Sequence, residues 1–288
     1  MEENDQIDYS SNMNFFEKII HSLQKTMECP TNYGWFHIMF LIIIIVGTFI
    51  ICKFFKNCSE KTVNILLFIF WAVVFLLEVY KQLEFSFTYS DEVAKWDYQF
   101  YAFPFQFCSS QLYILPFIFL LKDSKIRDGM ILFTITFLFF GGLAVCIYPN
   151  NVFVETIGIN IQTMIHHGTQ LLLGIFLFIR YGEKLNLMNY LRGVVVFLCL
   201  LFIALSLNII VYKMLQSIGN DEKFNMFYIS PYFECQLPIL SIIQSKTPYL
   251  VFLLIYMFGF VFIAFILYVV ELKIYKLIDK NKYEKEKV

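Results

Sequence analysis

Apolar positions along the 288 residues come in seven long runs separated by polar stretches: Trp35 to Cys52, Val63 to Tyr80, Phe103 to Leu121, Met130 to Tyr148, Gly158 to Ile179, Leu191 to Met214 and Tyr249 to Val270. A bilayer core about 30 Å thick takes about 20 apolar residues of helix, so each run is close to the length needed to cross it. None shows the period-two alternation of a barrel strand, and an open strand leaves its backbone groups unpaired in lipid. The pattern predicts an all-α membrane protein with seven transmembrane helices over 35–271, a leading tail over 1–34 and a charged, basic tail over 272–288. Within the leading tail, Phe15, Phe16, Ile19, Ile20, Leu23 and Met27 recur at helical spacing between Asn14 and Glu28, before Pro30. That spacing predicts an amphipathic helix lying in the outer interface.

Composition agrees with the pattern. Hydrophobic residues make up 59% of the chain and the mean hydropathy is +0.65, against about 45–50% apolar residues in soluble proteins. The net charge of −1 gives no reason to expect nucleic acid as a partner. The placement of charge is more informative. Of the 22 Lys and Arg residues, 15 fall in alternate loops on the side of the C-terminus, which puts that end in the cytoplasm of a multi-pass cell-membrane protein. An odd number of spans then leaves the N-terminus outside, with Glu2, Glu3, Asp5 and Asp8. The first residues lack the basic and apolar regions of a cleavable signal. No internal repeat supports the inverted duplication found in many transporters.

The seven cysteines show no Cys-x-x-Cys and no zinc-ligand spacing, so neither a metal nor another cofactor is expected. Cys29 and Cys235 share the outer side, which permits a disulfide, although the odd total favours reduced thiols. The outer loop from Gln216 to Thr247 mixes charges with Phe227, Tyr228, Tyr232 and Phe233. Two readings stand: a cover over an outward-facing cavity, or aromatics resting at headgroup level.

Candidate chemistry lies where polar groups interrupt the apolar runs. His166 and His167, half of the four histidines, sit in the fifth run. A titratable pair there must face protein or water and usually has a task. Gln162, His166 and Gln170 recur at intervals of four, with Thr163 and His167 in the adjoining row, so one broad face is polar and turns inward. The third run gathers Gln106, Ser109, Ser110, Gln111 and Tyr113 around Cys108. At about 1.5 Å per residue, Cys108 lies about 8 Å, and the histidines about 12 to 14 Å, below the outer ends of their runs. Thiol and imidazoles are thus at similar depth. The plain alternative is an interhelical hydrogen-bond seam without chemistry, worth about 0.6 kcal/mol per contact. Glu78, near the outer end of the second run, either orients an imidazole or snorkels to the interface beside Tyr80.

The sequence Phe103-Pro104-Phe105-Gln106-Phe107-Cys108, the following Gln111-Leu112-Tyr113-Ile114-Leu115-Pro116 and the later Ile165-His166-His167-Gly168 resemble YwaF-type membrane proteins. Those in turn resemble the transmembrane protein 164 acyltransferases, the likeness covering about Lys81 to Arg180 by motif and the flanking runs by hydropathy. The resemblance implies that Cys108 carries an acyl thioester and that a histidine, His167 by the family pattern or its neighbour His166, assists. It implies transfer of a fatty acyl chain between membrane phospholipids. Such chemistry is physically reasonable, because a thiol in an apolar setting needs a base to become a nucleophile. Gln106, Ser109, Gln111, Tyr113, Gln162 and Gln170 are candidate donors to substrate or to the developing oxyanion. The competing reading is a non-enzymatic seven-helix transporter or ligand-binding protein with His166 and His167 lining a polar cavity. Retinal binding lacks a lysine within the seventh run, and neither His-Glu-x-x-His nor Gly-x-Ser-x-Gly is present for proteolysis.

Overall fold

The computed structural model describes residues 13–90, 93–149 and 152–285. Five helices are long and apolar enough to cross a membrane: Trp35–Phe54, Glu60–Glu84, Lys125–Ile147, Leu187–Ser217 and Tyr249–Lys280. A shorter apolar helix, Cys108–Leu120, joins them. The 25-residue helix Ile157–Tyr181 lies among them with most of its side chains buried. The chain is a helical multi-pass membrane protein, as the runs predict.

Helix α1, Phe15–Leu23, opens on a reciprocal cap: Glu17 N–H donates to the Asn14 side chain and Asn14 N–H donates to the Glu17 carboxylate, both at 2.9 Å. It stops at Leu23 and does not run to Glu28 as the spacing predicted. Beyond it the backbone finds other partners. Met27 N–H donates to Glu155 O at 2.7 Å, Ile157 N–H donates to Lys25 O at 3.1 Å, and Met27 packs beside Phe36 and Met164. An unexpected antiparallel hairpin, β1 (Phe87–Ser90) and β2 (Val93–Trp96), pairs Phe87 with Trp96 and stacks Phe87 edge-on against Phe16 of α1.

The remaining helices are α2 (Trp35–Phe54), α3 (Glu60–Glu84), α4 (Gln111–Leu120), α5 (Lys125–Phe133), α6 (Phe139–Ile147), α7 (Ile157–Tyr181), α8 (Leu187–Ser217), α9 (Pro238–Lys246) and α10 (Tyr249–Lys285). The third apolar run differs most from expectation. Residues 103–107 are not helical; Pro104 restricts Phe103 to extended backbone (φ −48°, ψ 135°), and only at Cys108 does a tight turn, Cys108–Ser110, lead into α4. Cys108 therefore heads its helix, and a depth counted down a helix from Phe103 does not apply. Between α5 and α6 the chain widens into a π-helical segment, Thr134–Leu138. There Thr134 and Thr136 donate to the carbonyls of Met130 and Leu132.

Helix α7 is the axis of the bundle, packed against α2, α3, α6 and the π-helical segment. That position explains how an apolar molecule accommodates Gln162, Thr163, His166, His167 and Gln170: all are buried against protein, not lipid. Close approach of α6 needs Gly142, where a Cβ would stand 2.7 Å from the His167 carbonyl. The loop between α8 and α9 turns inward. Phe224, Met226, Phe227 and Ile229 are buried in the core, while Ile239 of α9 is largely exposed.

Candidate active site

Cys108 sits where α4 meets α7. Its carbonyl accepts from His166 Nε2 at 3.1 Å and from Gln170 Nε2 at 2.6 Å, and Gln111 Nε2 donates to the His166 carbonyl at 3.1 Å. These three bonds fasten the head of α4 to the middle of α7. The His166 ring also acts electrostatically on the Cys108 thiol. The third and fifth apolar runs thus touch at the Cys108 carbonyl and the His166 imidazole.

Tautomers follow from the partners. A carbonyl oxygen only accepts, so His166 carries its proton on Nε2, and its Nδ1 lone pair faces the Gln162 amide at 3.5 Å. His167 donates from Nδ1 to the Thr163 carbonyl at 2.8 Å, which leaves its lone pair on Nε2. The ring centroids are 5.6 Å apart. Glu78 is buried beside this cluster, and its carboxylate accepts from Lys81 at 3.1 Å and Gln82 at 2.7 Å. Its contacts are to these two side chains and to neither imidazole. The Lys81 ammonium acts electrostatically on both Cys108 and His167.

The other side chains singled out in the sequence serve the scaffold. Ser109 is buried, Ser110 is bonded to the Phe107 carbonyl, and Tyr113 donates to Pro104 O at 2.6 Å. Gln106 makes a two-point bond to the inward loop, donating to Asn225 O at 3.0 Å and accepting from Phe227 N–H at 2.9 Å. Asn208 of α8 does the same for Met226, at 3.0 and 2.7 Å. A lone asparagine in an apolar run was a legible signal for that clamp. His37 was not: it lies in the first apolar run, fully buried, accepting from Tyr33 N–H at 3.0 Å and donating to Cys146 O at 2.9 Å. Both its nitrogens hold backbone, which makes it a structural tie between α2 and α6.

Cys29 is exposed, Cys235 is buried, and both are free. Burial raises the Cys235 thiol pKa, and the Leu237 backbone N–H opposes that shift. Among the described residues no group of three His, Cys, Asp or Glu side chains is arranged to hold a metal ion.

A bundle of apolar helices wrapped around a polar central helix, with an imidazole bonded to a cysteine carbonyl inside it, defines a multi-pass membrane protein with a buried polar centre. The chain belongs to the TMEM164 family, whose model it matches over residues 32–275. No curated protein and no solved structure gives a match.

Proposed function

We propose that the chain is a cell-membrane transacylase of seven spans that moves a fatty acyl chain between phospholipids through a thioester on Cys108. One observation carries the reading: His166 Nε2 donates to the Cys108 carbonyl at 3.1 Å, which brings an imidazole to the residue that bears the thiol, among buried polar side chains. Seven spans are obtained by adding the Cys108–Leu120 helix and α7 to the five long apolar helices. The charge bias of the loops favours a cytoplasmic C-terminus.

His166 is the base in this reading, because its ring is the one bonded to Cys108, through the backbone carbonyl. To take the proton it must present a lone pair to Sγ, which means releasing the Cys108 carbonyl. Gln170, at 2.6 Å, still satisfies that carbonyl when the imidazole lets go. The thiolate then adds to the ester carbonyl carbon of a phospholipid, forming the C–S bond and a tetrahedral oxyanion, and collapse of that oxyanion breaks the C–O bond. His166 returns its proton to the departing lysophospholipid alkoxide. In the second half, a lysophospholipid hydroxyl gives its proton to His166, attacks the thioester and releases Cys108. His167 stands next in line, with its lone pair on Nε2.

The test is covalent. Purified protein incubated with a phospholipid labelled in its acyl chain gains a hydroxylamine-sensitive label, which Cys108→Ala loses and Cys146→Ala keeps. A label that persists in Cys108→Ala, or that never forms in the wild type, overturns the mechanism.

A further inference from the structure

A thiolate adding to an ester carbonyl creates an oxyanion, and a single donor aimed at that oxygen contributes about 10²- to 10³-fold in rate. Six of the neutral donors clustered around Cys108 in sequence and on α7 are already engaged. Gln106 holds the inward loop, Ser110 the Phe107 carbonyl, Gln111 the His166 carbonyl, Tyr113 the Pro104 carbonyl, Gln162 the His166 ring and Gln170 the Cys108 carbonyl. Lys81 also acts on the thiol, but it is paired with Glu78.

Tyr228 differs from all of these. Its hydroxyl makes no hydrogen bond among the described residues, and it interacts electrostatically with Cys108. The preceding residue fixes it beside the thiol segment: the Phe227 ring packs on Phe107 at 5.6 Å and on Phe105 at 6.0 Å. The turn that carries it is strained. Phe227 and Tyr228 both have left-handed backbone, φ 58° and 57°, a conformation that side-chain-bearing residues rarely adopt. The amides of Gln106 and Asn208 hold the turn from two sides, and Asn225 braces it further, donating to Glu234 O and accepting from Ser230 N–H. Strained backbone so heavily clamped, ending in a phenol without a partner, is the pattern of a group held for a ligand.

We propose that the Tyr228 hydroxyl is a catalytic donor that stabilises the oxyanion formed when Cys108 attacks an acyl ester, an assignment that rests on the thioester reading. The phenol keeps its proton throughout. It donates a hydrogen bond to the carbonyl oxygen as the C–S bond forms, and withdraws when the C=O bond returns and the alkoxide leaves.

Tyr228→Phe keeps the ring and removes the hydroxyl. Two rates are compared on the purified full chain: acylation by phosphatidylcholine vesicles labelled in the acyl chain, and alkylation of Cys108 by iodoacetamide, a displacement that builds no oxyanion. Acylation slows about 10²-fold or more while alkylation is unchanged. Acylation at the wild-type rate overturns the proposal, and so does an equal fall in both rates, which marks a structural role. Should the variant lose its fold, 3,5-difluorotyrosine at position 228 keeps the hydroxyl but alters its acidity and must shift the acylation rate; an unmoved rate again overturns the proposal. A wild-type chain that takes no label fails at the thioester itself and removes the role of the phenol with it, a distinguishable result.

Discussion

Within α7, two adjacent histidines have different work because their rings point to different partners. His166 reaches across to Cys108, whereas His167 turns back to the Thr163 carbonyl of its own helix. The proposed mechanism accordingly separates them. His166→Ala slows thioester formation about 10²- to 10⁴-fold, the range of a lost general base, and His167→Ala slows it much less, measured by time courses of acyl labelling. A reversed order would move the role of base to His167. The sequence made the pair legible as a cost in an apolar helix, and the four-residue spacing of Gln162, His166 and Gln170 showed which face turns inward. It did not show which ring meets Cys108. That depends on where the helical turn leading into α4 begins, which is Cys108, five residues after the apolar run starts at Phe103.

At the level of elements, the pocket depends on close contact between α6 and α7 and on an inward loop that is clamped in place. Gly142→Ala pushes a methyl group against the His167 carbonyl and costs about 1–3 kcal/mol of overpacking. A lowered melting temperature together with slower acylation is the expected result, and an unchanged melting curve would contradict the packing. Gln106→Leu removes both bonds to the 225–227 backbone and leaves two buried groups unpaired, costing about 1–3 kcal/mol for each group left unsatisfied. Amide exchange in residues 224–230 then quickens more than in α7. Helix existence was readable because a bilayer demands long apolar runs. The hairpin, the π-helical segment and the inward turn were not: the first two are short local departures inside or beside apolar runs, and the third is held by Gln106 and Asn208, so none leaves a period in the sequence.

Taken as a whole, the molecule carries two polar centres along α7. One is the Cys108 cluster at the middle of the helix. At its C-terminal end, Arg127 is buried and donates to Glu60 at 2.5 Å, to the Tyr181 hydroxyl at 2.8 Å and to Ile118 O at 2.8 Å, while Lys184 bridges Asp123 and Asp128. The seven-span reading places the Arg127 end in the cytoplasm. A membrane-impermeant maleimide applied to intact cells therefore labels Cys29, ahead of α2, and reaches Cys58, between α2 and α3, only after permeabilisation. Labelling in the opposite order would invert the topology. The central claim, an acyl group carried on one thiol, is met most directly by the mass of the Cys108 peptide from protein incubated with a defined phospholipid. The account predicts a gain equal to that acyl chain, removed by hydroxylamine. An unmodified Cys108 peptide, or the same gain on a peptide containing a different cysteine, would contradict it.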